Sequence, residues 1–436
     1  MPGKVLIITY YWPPSGGAGV QRWLKFVKYL RNFNWEPVIF TPENPEFPAI
    51  DNTLEQEIPS GIEVIKIPIW EPYQVYKKLT GKAPDEKVNA SGFISEKTKT
   101  STLQKASLWV RGNFFIPDAR KFWIKPSVKF LLNWLSSNKV DVVVSTGPPH
   151  SVHFIGLGLK EKTGLPWLAD FRDPWTNIDF YKELNLTWLA DRLHHKLELK
   201  VLSNADEVVV ISDSMKTDFE NLFYRRYTVI TNGYDIDDLK TVNVSLDIKF
   251  SIAHIGSMAK SRNPIKLWEA LKDLKDSVPG FRENLIIRLI GTVDFSVLEA
   301  IRKTGLEPNL EITEYKPHNE IISFQQHSRV LLLIINDTPN AKLILPGKFF
   351  EYLASARPIL CIGPEDGDAA KIIAQSGAGY VAPFNDKERI TNTIKILYSN
   401  YLNNQDLNSI DKISQFSRES LSEKLASVLN TLKKIS

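Results

Sequence analysis

Pro346-Gly347-Lys348-Phe349-Phe350-Glu351-Tyr352-Leu353-Ala354-Ser355-Ala356-Arg357-Pro358 lies between two apolar runs. Val330–Asn336 before it and Ile359-Leu360-Cys361-Ile362-Gly363 after it read as buried strands, so the quoted stretch is the helix that joins them. Pro and Gly open it and Pro358 stops it. Val/Ile/Leu runs that a helix separates belong to a parallel sheet covered on both faces. Lys348 stands in the first helical turn, and Glu351 follows one turn later on nearly the same face. Free N–H groups and the helix dipole make such an N-terminus an anion site, and the lysine adds to it. A carboxylate one turn deeper suits sugar hydroxyls. The pair points to a ligand carrying both phosphate and ribose, a nucleoside diphosphate. The same spacing also fits a solvated lysine, so the reading depends on the rest of the chain.

Outward from this helix the strand–helix alternation continues in both directions. Toward the N-terminus, strands are expected at Lys4–Tyr10, Pro37–Thr41, Ile62–Pro68, Val140–Thr146, Trp167–Phe171, Glu207–Ser212 and Thr228–Thr231. Helices are expected at Gly19–Phe33, Ser127–Ser137, Ser151–Lys162, Leu186–Ser203 and Met215–Phe223. The polar stretch Asn232–Lys249 is a joint, and its Asp235-Ile236-Asp237 reads as solvated charge. The pattern then restarts with strands Ser251–Gly256, Leu285–Gly291, Leu310–Tyr315, Val330–Asn336, Pro358–Gly363 and Gly379–Ala382, and helix Ile265–Leu274. The last helix, Arg418–Lys433, carries Leu421, Leu425, Val428, Leu429 and Leu432 at helical spacing. The expected architecture is α/β, with two tandem doubly wound Rossmann-like domains. Their expected spans are 1–235 and 250–414, followed by a terminal helix in 415–436. In such sheets ligands bind at the carboxyl ends of strands where strand order reverses, which places the expected site in the interdomain cleft.

Bulk properties agree with a two-domain globular chain. At 436 residues it is too long for one core. Its net charge of +4 is too mild to argue for nucleic acid. One cysteine, Cys361, cannot form an internal disulfide and sits in an apolar strand, which suits a reducing compartment. The first apolar run, Val5–Ile8, is too short for a secretory signal, and no run reaches the ~20 apolar residues of a membrane span. A cytoplasmic location is expected. The segment 73–125 differs from its surroundings: it is rich in Lys and Arg, poor in acids, and holds Trp109, Phe114, Phe115, Phe122 and Trp123. Such a mixture suits a surface resting on anionic lipid, at the inner face of the cytoplasmic membrane. It also suits an insertion packed on the domain with solvated lysines.

Three strand-end clusters carry candidate chemistry. The first is Trp12-Pro13-Pro14-Ser15-Gly16-Gly17-Ala18-Gly19-Val20-Gln21-Arg22, where glycines allow close backbone approach to a ligand. Gly17-x-Gly19-x-x-Arg22 with Glu36 partly mimics a dinucleotide fingerprint, but Arg22 stands where close packing needs a third glycine, which disfavours NAD. The second is His254-Ile255-Gly256-Ser257-Met258-Ala259-Lys260-Ser261-Arg262-Asn263-Pro264, a phosphate cradle in which Arg262 can grip two oxygens and Lys260 is a solvated neighbour. The third joins Gly147-Pro148-Pro149-His150-Ser151-Val152-His153 with Asp170-Phe171-Arg172-Asp173-Pro174-Trp175. Charges at the end of an apolar strand are costly unless paired or facing a cleft, so Arg172 and Asp173 are either a structural pair or cleft residues. His150 precedes a helix and can reach the cleft, whereas His153 packs. No CxxC, HExxH or first-domain DxD marks a metal site.

Together these residues resemble retaining glycosyltransferases of the GT-B fold, family 4, of the kind found in bacterial cell-surface polysaccharide synthesis. The resemblance rests on the Gly16–Gly19 loop, the Gly256–Arg262 loop, the Pro346–Glu351 helix start and the terminal helix, which in that family crosses back to the first domain. It implies transfer of a hexose from a UDP- or GDP-linked sugar to a glycan or lipid-linked acceptor, with retention and without metal. By this resemblance Arg262 and Lys348 neutralise the diphosphate, Glu351 binds the ribose, and Gly16, Gly17, Gly19 and Gly256 line the donor. His150 faces the reacting sugar, and Arg172 and Asp173 lie on the acceptor or sugar side. The family's first glutamate, eight positions before Glu351, is replaced here by Leu343. A GT-B sugar-nucleotide epimerase and a catalytically inactive nucleotide-binding module are the alternatives.

Overall fold

A computed structural model describes residues 2–47, 50–72, 109–178, 180–239, 245–314, 316, 318–405 and 410–434. The expected basic residues of 73–108 lie outside them. The chain forms two compact units, one of residues 1–231 with 418–436 and the other of residues 232–417.

The first unit holds β1 (Gly3–Thr9), β2 (Trp35–Pro42), β3 (Glu63–Ile67), β4 (Val142–Gly147), β5 (Trp167–Phe171), β6 (Glu207–Val210) and β7 (Thr228–Val229). All are parallel in the order β3-β2-β1-β4-β5-β6-β7. Strand order reverses between β1 and β4, where Val5 pairs with Val142 and Thr9 with Thr146. Helix Arg418–Lys433 belongs to this unit: Leu421, Leu425, Leu429 and Leu432 share one apolar core with Val20, Leu24 and Val27 of helix Ala18–Leu30. Trp35 Nε1 donates to Asn430 Oδ1 at 3.0 Å and ties that helix to β2.

The second unit holds β8 (Phe250–Ile255), β9 (Leu285–Ile290), β10 (Leu310–Thr313), β11 (Val330–Ile334), β12 (Ile359–Ile362) and β13 (Gly379–Ala382). They too are parallel, in the order β10-β9-β8-β11-β12-β13, with the reversal between β8 and β11. Its central strands β8, β11 and β12 are buried on both faces by helices such as Ile265–Ser277 and Gly347–Ala354, so nearly every position in them is apolar.

Two local expectations are corrected. The helix expected at 127–137 begins earlier, spanning Lys121–Leu135 with Pro126 inside it. Burial of Trp123, stacked on Phe40 at 5.1 Å, holds the turn before the proline and outweighs the hydrogen bond that Pro126 cannot donate. Asp235 is not solvated charge: it is buried and accepts from the backbone N–H of Asp237 at 3.1 Å, shaping the turn into the short helix Ile236–Leu239. Asp237 itself is exposed.

Candidate functional site

The sequence-derived site residues fall into two groups, one on each unit, and each group gathers at a point of strand reversal.

On the second unit, helix Gly347–Ala354 starts directly after a turn that follows β11, with Pro346 at its N-cap. Phe349, Phe350, Tyr352 and Leu353 bury one face of it. Lys348 turns toward the end of β8, where Nζ donates to the Ile255 carbonyl at 2.8 Å and meets His254 Nε2 at 3.2 Å. His254 is fully buried, and its Nδ1 lies 3.0 Å from the Leu332 carbonyl on β11. A carbonyl can only accept, so Nδ1 carries the proton and Nε2 offers its lone pair to the lysine. Burial, with the neighbouring Lys348 charge, holds His254 well below the usual histidine range and therefore neutral. Burial also lowers Lys348 to about 7, helped by the Arg262 charge and opposed by Glu351. An ammonium has three donors, and two are committed here.

Arg262 closes the same corner from the other loop. Its Nε donates to Asn336 Oδ1, joining the loop after β8 to the segment after β11 across the reversal. Arg262 Nη1 reaches the Ser257 carbonyl at 3.5 Å. Gly256 turns the chain out of β8 at φ +112°, a conformation that side chains strongly disfavour. Glu351, one turn beyond Lys348, accepts from Gln325 Nε2 at 2.9 Å. Lys260 is exposed as expected, and Leu343 sits half-buried in the turn Ala341–Leu343. This corner thus concentrates Lys348 and Arg262 beside a helix N-terminus, with a carboxylate one turn away: an anion site next to a hydroxyl acceptor. His254 and Asn336 are the residues that sequence reasoning passed over. The signal for His254 was a polar residue in an otherwise apolar strand.

On the first unit, the loop after β1 holds Gly16 buried and Gly17 exposed at φ +96°. Arg172, at the end of β5, is buried and spends its guanidinium on backbone carbonyls: Nη1 donates to Gly19 at 2.5 Å, Nε to Gly147 at 3.3 Å, and Nη2 to Pro148. A Cβ on residue 19 would come within 2.7 Å of that guanidinium, so any larger residue there would have to push the Arg172 head group aside. Arg172 therefore clamps two loops in place of the sugar-side contact expected of it. Arg22 does not line the glycine loop as a ligand group either. It is buried against Asp170, Nη2 to Oδ1 at 2.8 Å, and caps the Ile230 and Thr231 carbonyls at 2.9 and 2.8 Å. Trp23 Nε1 and Thr146 Oγ1 complete the Asp170 carboxylate at 2.7 and 2.8 Å, and the arginine charge with these bonds keeps Asp170 below the usual carboxylate range despite burial. Glu36 pairs with Arg31 instead of a ribose.

His150 lines a cavity of about 300 Å³ together with Tyr11, Asp173 and Trp175. Its ring stacks parallel on Trp175 at 4.5 Å. Burial, then the neighbouring His153, holds it well below the usual range, so it is neutral. His153 is packed, its Nδ1 2.9 Å from Ser145 Oγ. Among the described residues no group of three or more His, Cys, Asp or Glu side chains is arranged to hold a metal ion.

Two tandem parallel sheets with reversals at β1/β4 and β8/β11 define the GT-B class. Solved structures share it over the whole chain. A sucrose-phosphate synthase from Thermosynechococcus elongatus matches with TM-score 0.64 at 13% identity, covering 100% of both chains. WaaG, a glycosyltransferase involved in lipopolysaccharide biosynthesis, matches with TM-score 0.56 at 14% identity, covering 98% of this chain and 99% of its own. A protein from Listeria monocytogenes assigned as a UDP-N-acetylglucosamine 2-epimerase matches with TM-score 0.56 at 12% identity, covering 100% and 98%. At these identities the likeness establishes the fold. No curated protein matches in sequence. Residues 95–238 match the family model for Glycosyltransferase Family 4, which favours transfer over the epimerase alternative. The chain has the GT-B fold seen in glycosyltransferases, and its residues 95–238, most of them in the first unit, are similar to Glycosyltransferase Family 4.

Proposed function

We propose that this glycosyltransferase moves a hexose from a UDP- or GDP-linked sugar to a glycan or lipid-linked acceptor, with retention and without a metal ion. The observation that carries the donor side is the Lys348–His254–Arg262–Asn336 corner at the β8/β11 reversal. In the reaction the anomeric C–O bond to the diphosphate breaks, a C–O bond to the acceptor hydroxyl forms, and the hydroxyl proton ends on the departing diphosphate. Charge accumulates on that leaving group. Lys348, Arg262 and the N–H groups opening helix Gly347–Ala354 would neutralise it, the work a divalent cation does elsewhere. Glu351, already accepting from Gln325, is assigned the ribose hydroxyls. His150 and Asp173 are assigned to the acceptor, with Arg172 as the residue that holds their loops.

We also place the protein in the cytoplasm against the inner membrane face. No helix among the described residues is long and apolar enough to cross a membrane. Trp109, Phe114, Phe122 and Trp188 are exposed, and Lys121 Nζ lies 5.3 Å from the Phe122 ring centre, the aromatic-with-cation mixture that suits a peripheral contact. The test of the transferase reading is a thermal-shift series with UDP, GDP, ADP, CMP and NAD, each with magnesium and with EDTA. A ligand at ~100 times its Kd adds ~2.7 kcal/mol to stability, a clear rise in Tm. A shift with UDP or GDP that EDTA leaves intact supports the reading; a shift with NAD alone, or one that needs the metal, refutes it.

A further inference from the structure

The cavity beside His150 has more to say about the acceptor. Its walls come from the loop after β1, the turn after β4, the segment 111–120 and the loop 173–184. Tyr11, Phe115, Pro149, Trp175, Ile178 and Leu184 give it a mostly apolar face. Its volume of about 300 Å³ is about twice the ~150 Å³ that encloses a benzene, room for roughly ten to twelve carbon atoms.

Most of the polar groups along its walls already have partners within the protein. Asp118 accepts from the Ser151 N–H and hydroxyl at 2.8 and 2.7 Å and from the Arg120 N–H at 2.8 Å. Arg120 is buried in an ion pair with Glu71 at 2.9 Å. Tyr181 donates its hydroxyl to Asp191 at 3.0 Å. His194 is engaged by Trp175 Nε1 on one ring nitrogen at 3.1 Å and by the Gly112 carbonyl on the other at 3.4 Å. A bare sugar ring in such a pocket would lose hydrogen bonds to water and find few to replace them, at a cost in affinity for each. The buried Nδ1 of the neutral His150 imidazole, by contrast, has no hydrogen-bond partner among the described residues.

We propose that this cavity takes the hydrocarbon part of an acceptor whose sugar rides on an alkyl or prenyl chain, with the acceptor hydroxyl presented at the His150 end. The assignment rests on the transferase reading above and deepens it. Continuity with the exposed aromatic surface supports a lipid source: Asn113, beside the cavity-lining Gly112, accepts from Thr187 N–H at 2.7 Å, next to the exposed Trp188 and Leu189.

The test is isothermal titration of the full chain with n-octyl β-D-glucoside, kept below its micelle-forming concentration, against methyl β-D-glucoside. Two cavity variants are compared: Ile178→Glu, which puts a charge into the wall, and Leu184→Trp, which fills the space. Saturable octyl binding at one site, at least tenfold tighter than methyl and weakened at least tenfold by both variants, is the expected result. Equal binding of the two glycosides would mean the cavity reads sugar, and octyl binding unaffected by the variants would place the chain elsewhere; either overturns the proposal, as does no octyl binding at all. A UDP or GDP thermal shift measured on the same variants shows that they are folded. If the wild type gives the octyl pattern but no nucleotide shift, the transferase reading fails while the cavity assignment stands.

Discussion

Lys348 should make donor binding depend on pH in a way that few alternatives mimic. An ordinary lysine titrates near ~10.4, whereas burial and the Arg262 charge bring Lys348 to about 7. Only the ammonium form attracts a diphosphate, and a bound diphosphate favours that form, so binding takes up a proton wherever the free lysine is neutral. About half of the Lys348 side chains are charged at pH 7 and about one in a hundred at pH 9. The Kd for UDP or GDP should therefore weaken by ~50-fold across that range, about 2.3 kcal/mol, with a slope approaching tenfold per pH unit. The nucleotide contributes little to that slope, because a terminal phosphate completes its last ionisation near ~6. Titration calorimetry at pH 6.5, 7.5 and 8.5, in buffers of different ionisation heat, reads the proton directly: uptake should rise from a fraction toward one. Lys348→Arg, charged at every pH used, should flatten the slope even if its affinity is lower. A Kd that stays level from pH 7 to 9, or a slope that survives in Lys348→Arg, would refute the assignment of this lysine to the diphosphate.

Arg262→Ala should lower turnover by ~10²–10³ with Tm nearly unchanged, since the residue sits on a surface turn and stabilises charge that develops during reaction; steady-state kinetics beside a melting curve checks both halves. Glu198 is buried and raised to about 7 by that burial, while Thr176 Oγ1 donates to it at 2.5 Å. Its folded pKa exceeds the unfolded one, so its contribution to stability is present below ~4.3 and lost as pH rises through 7. Glu198→Gln should raise stability at pH 8 relative to the parent by up to ~3 kcal/mol and do little at pH 5, measured by urea unfolding at both. Asp170→Asn leaves Arg22 buried without its counter-charge and should cost ~3–5 kcal/mol, read from the same unfolding curves. Replacing Lys121 and Lys125 with Glu should reduce co-sedimentation with anionic liposomes and leave neutral liposomes unaffected; undiminished binding would count against the membrane contact.

What the chain disclosed before folding was whatever depends on local pattern. The apolar run Trp167–Phe171 occurs as a strand with the expected bounds, because a strand buried on both faces leaves few polar positions to blur its ends. The start of helix Lys121–Leu135 was hidden because Pro126 is a strong local signal, and its override comes from Phe40, far away in sequence. The site residues Lys348, Arg262 and Glu351 were legible from spacing. Their supports were not: Asn336 and Gln325 acquire meaning only when β11 and helix His318–His327 bring them alongside.

Arg22 and Arg172 show the same limit from the other side. Each stands in a motif that invites a ligand contact, yet each is buried against partners about 150 positions distant, Asp170 for one and the Gly19 carbonyl for the other. A buried guanidinium is tolerated only where its fork of donors is nearly filled, and here backbone carbonyls at the ends of β4 and β7 help to fill it. The consequence is mechanical. The glycine loop after β1 and the His150 turn after β4 hang from one arginine, so Arg172→Lys, which keeps the charge but loses the fork, should loosen both loops at once. Hydrogen exchange at residues 16–20 and at His150 and Ser151 would report it as coupled loss of protection, while Arg172→Lys leaves β8 and β11 as protected as before. Loss confined to one loop would mean that the two are held independently and that the arginine is only a local plug.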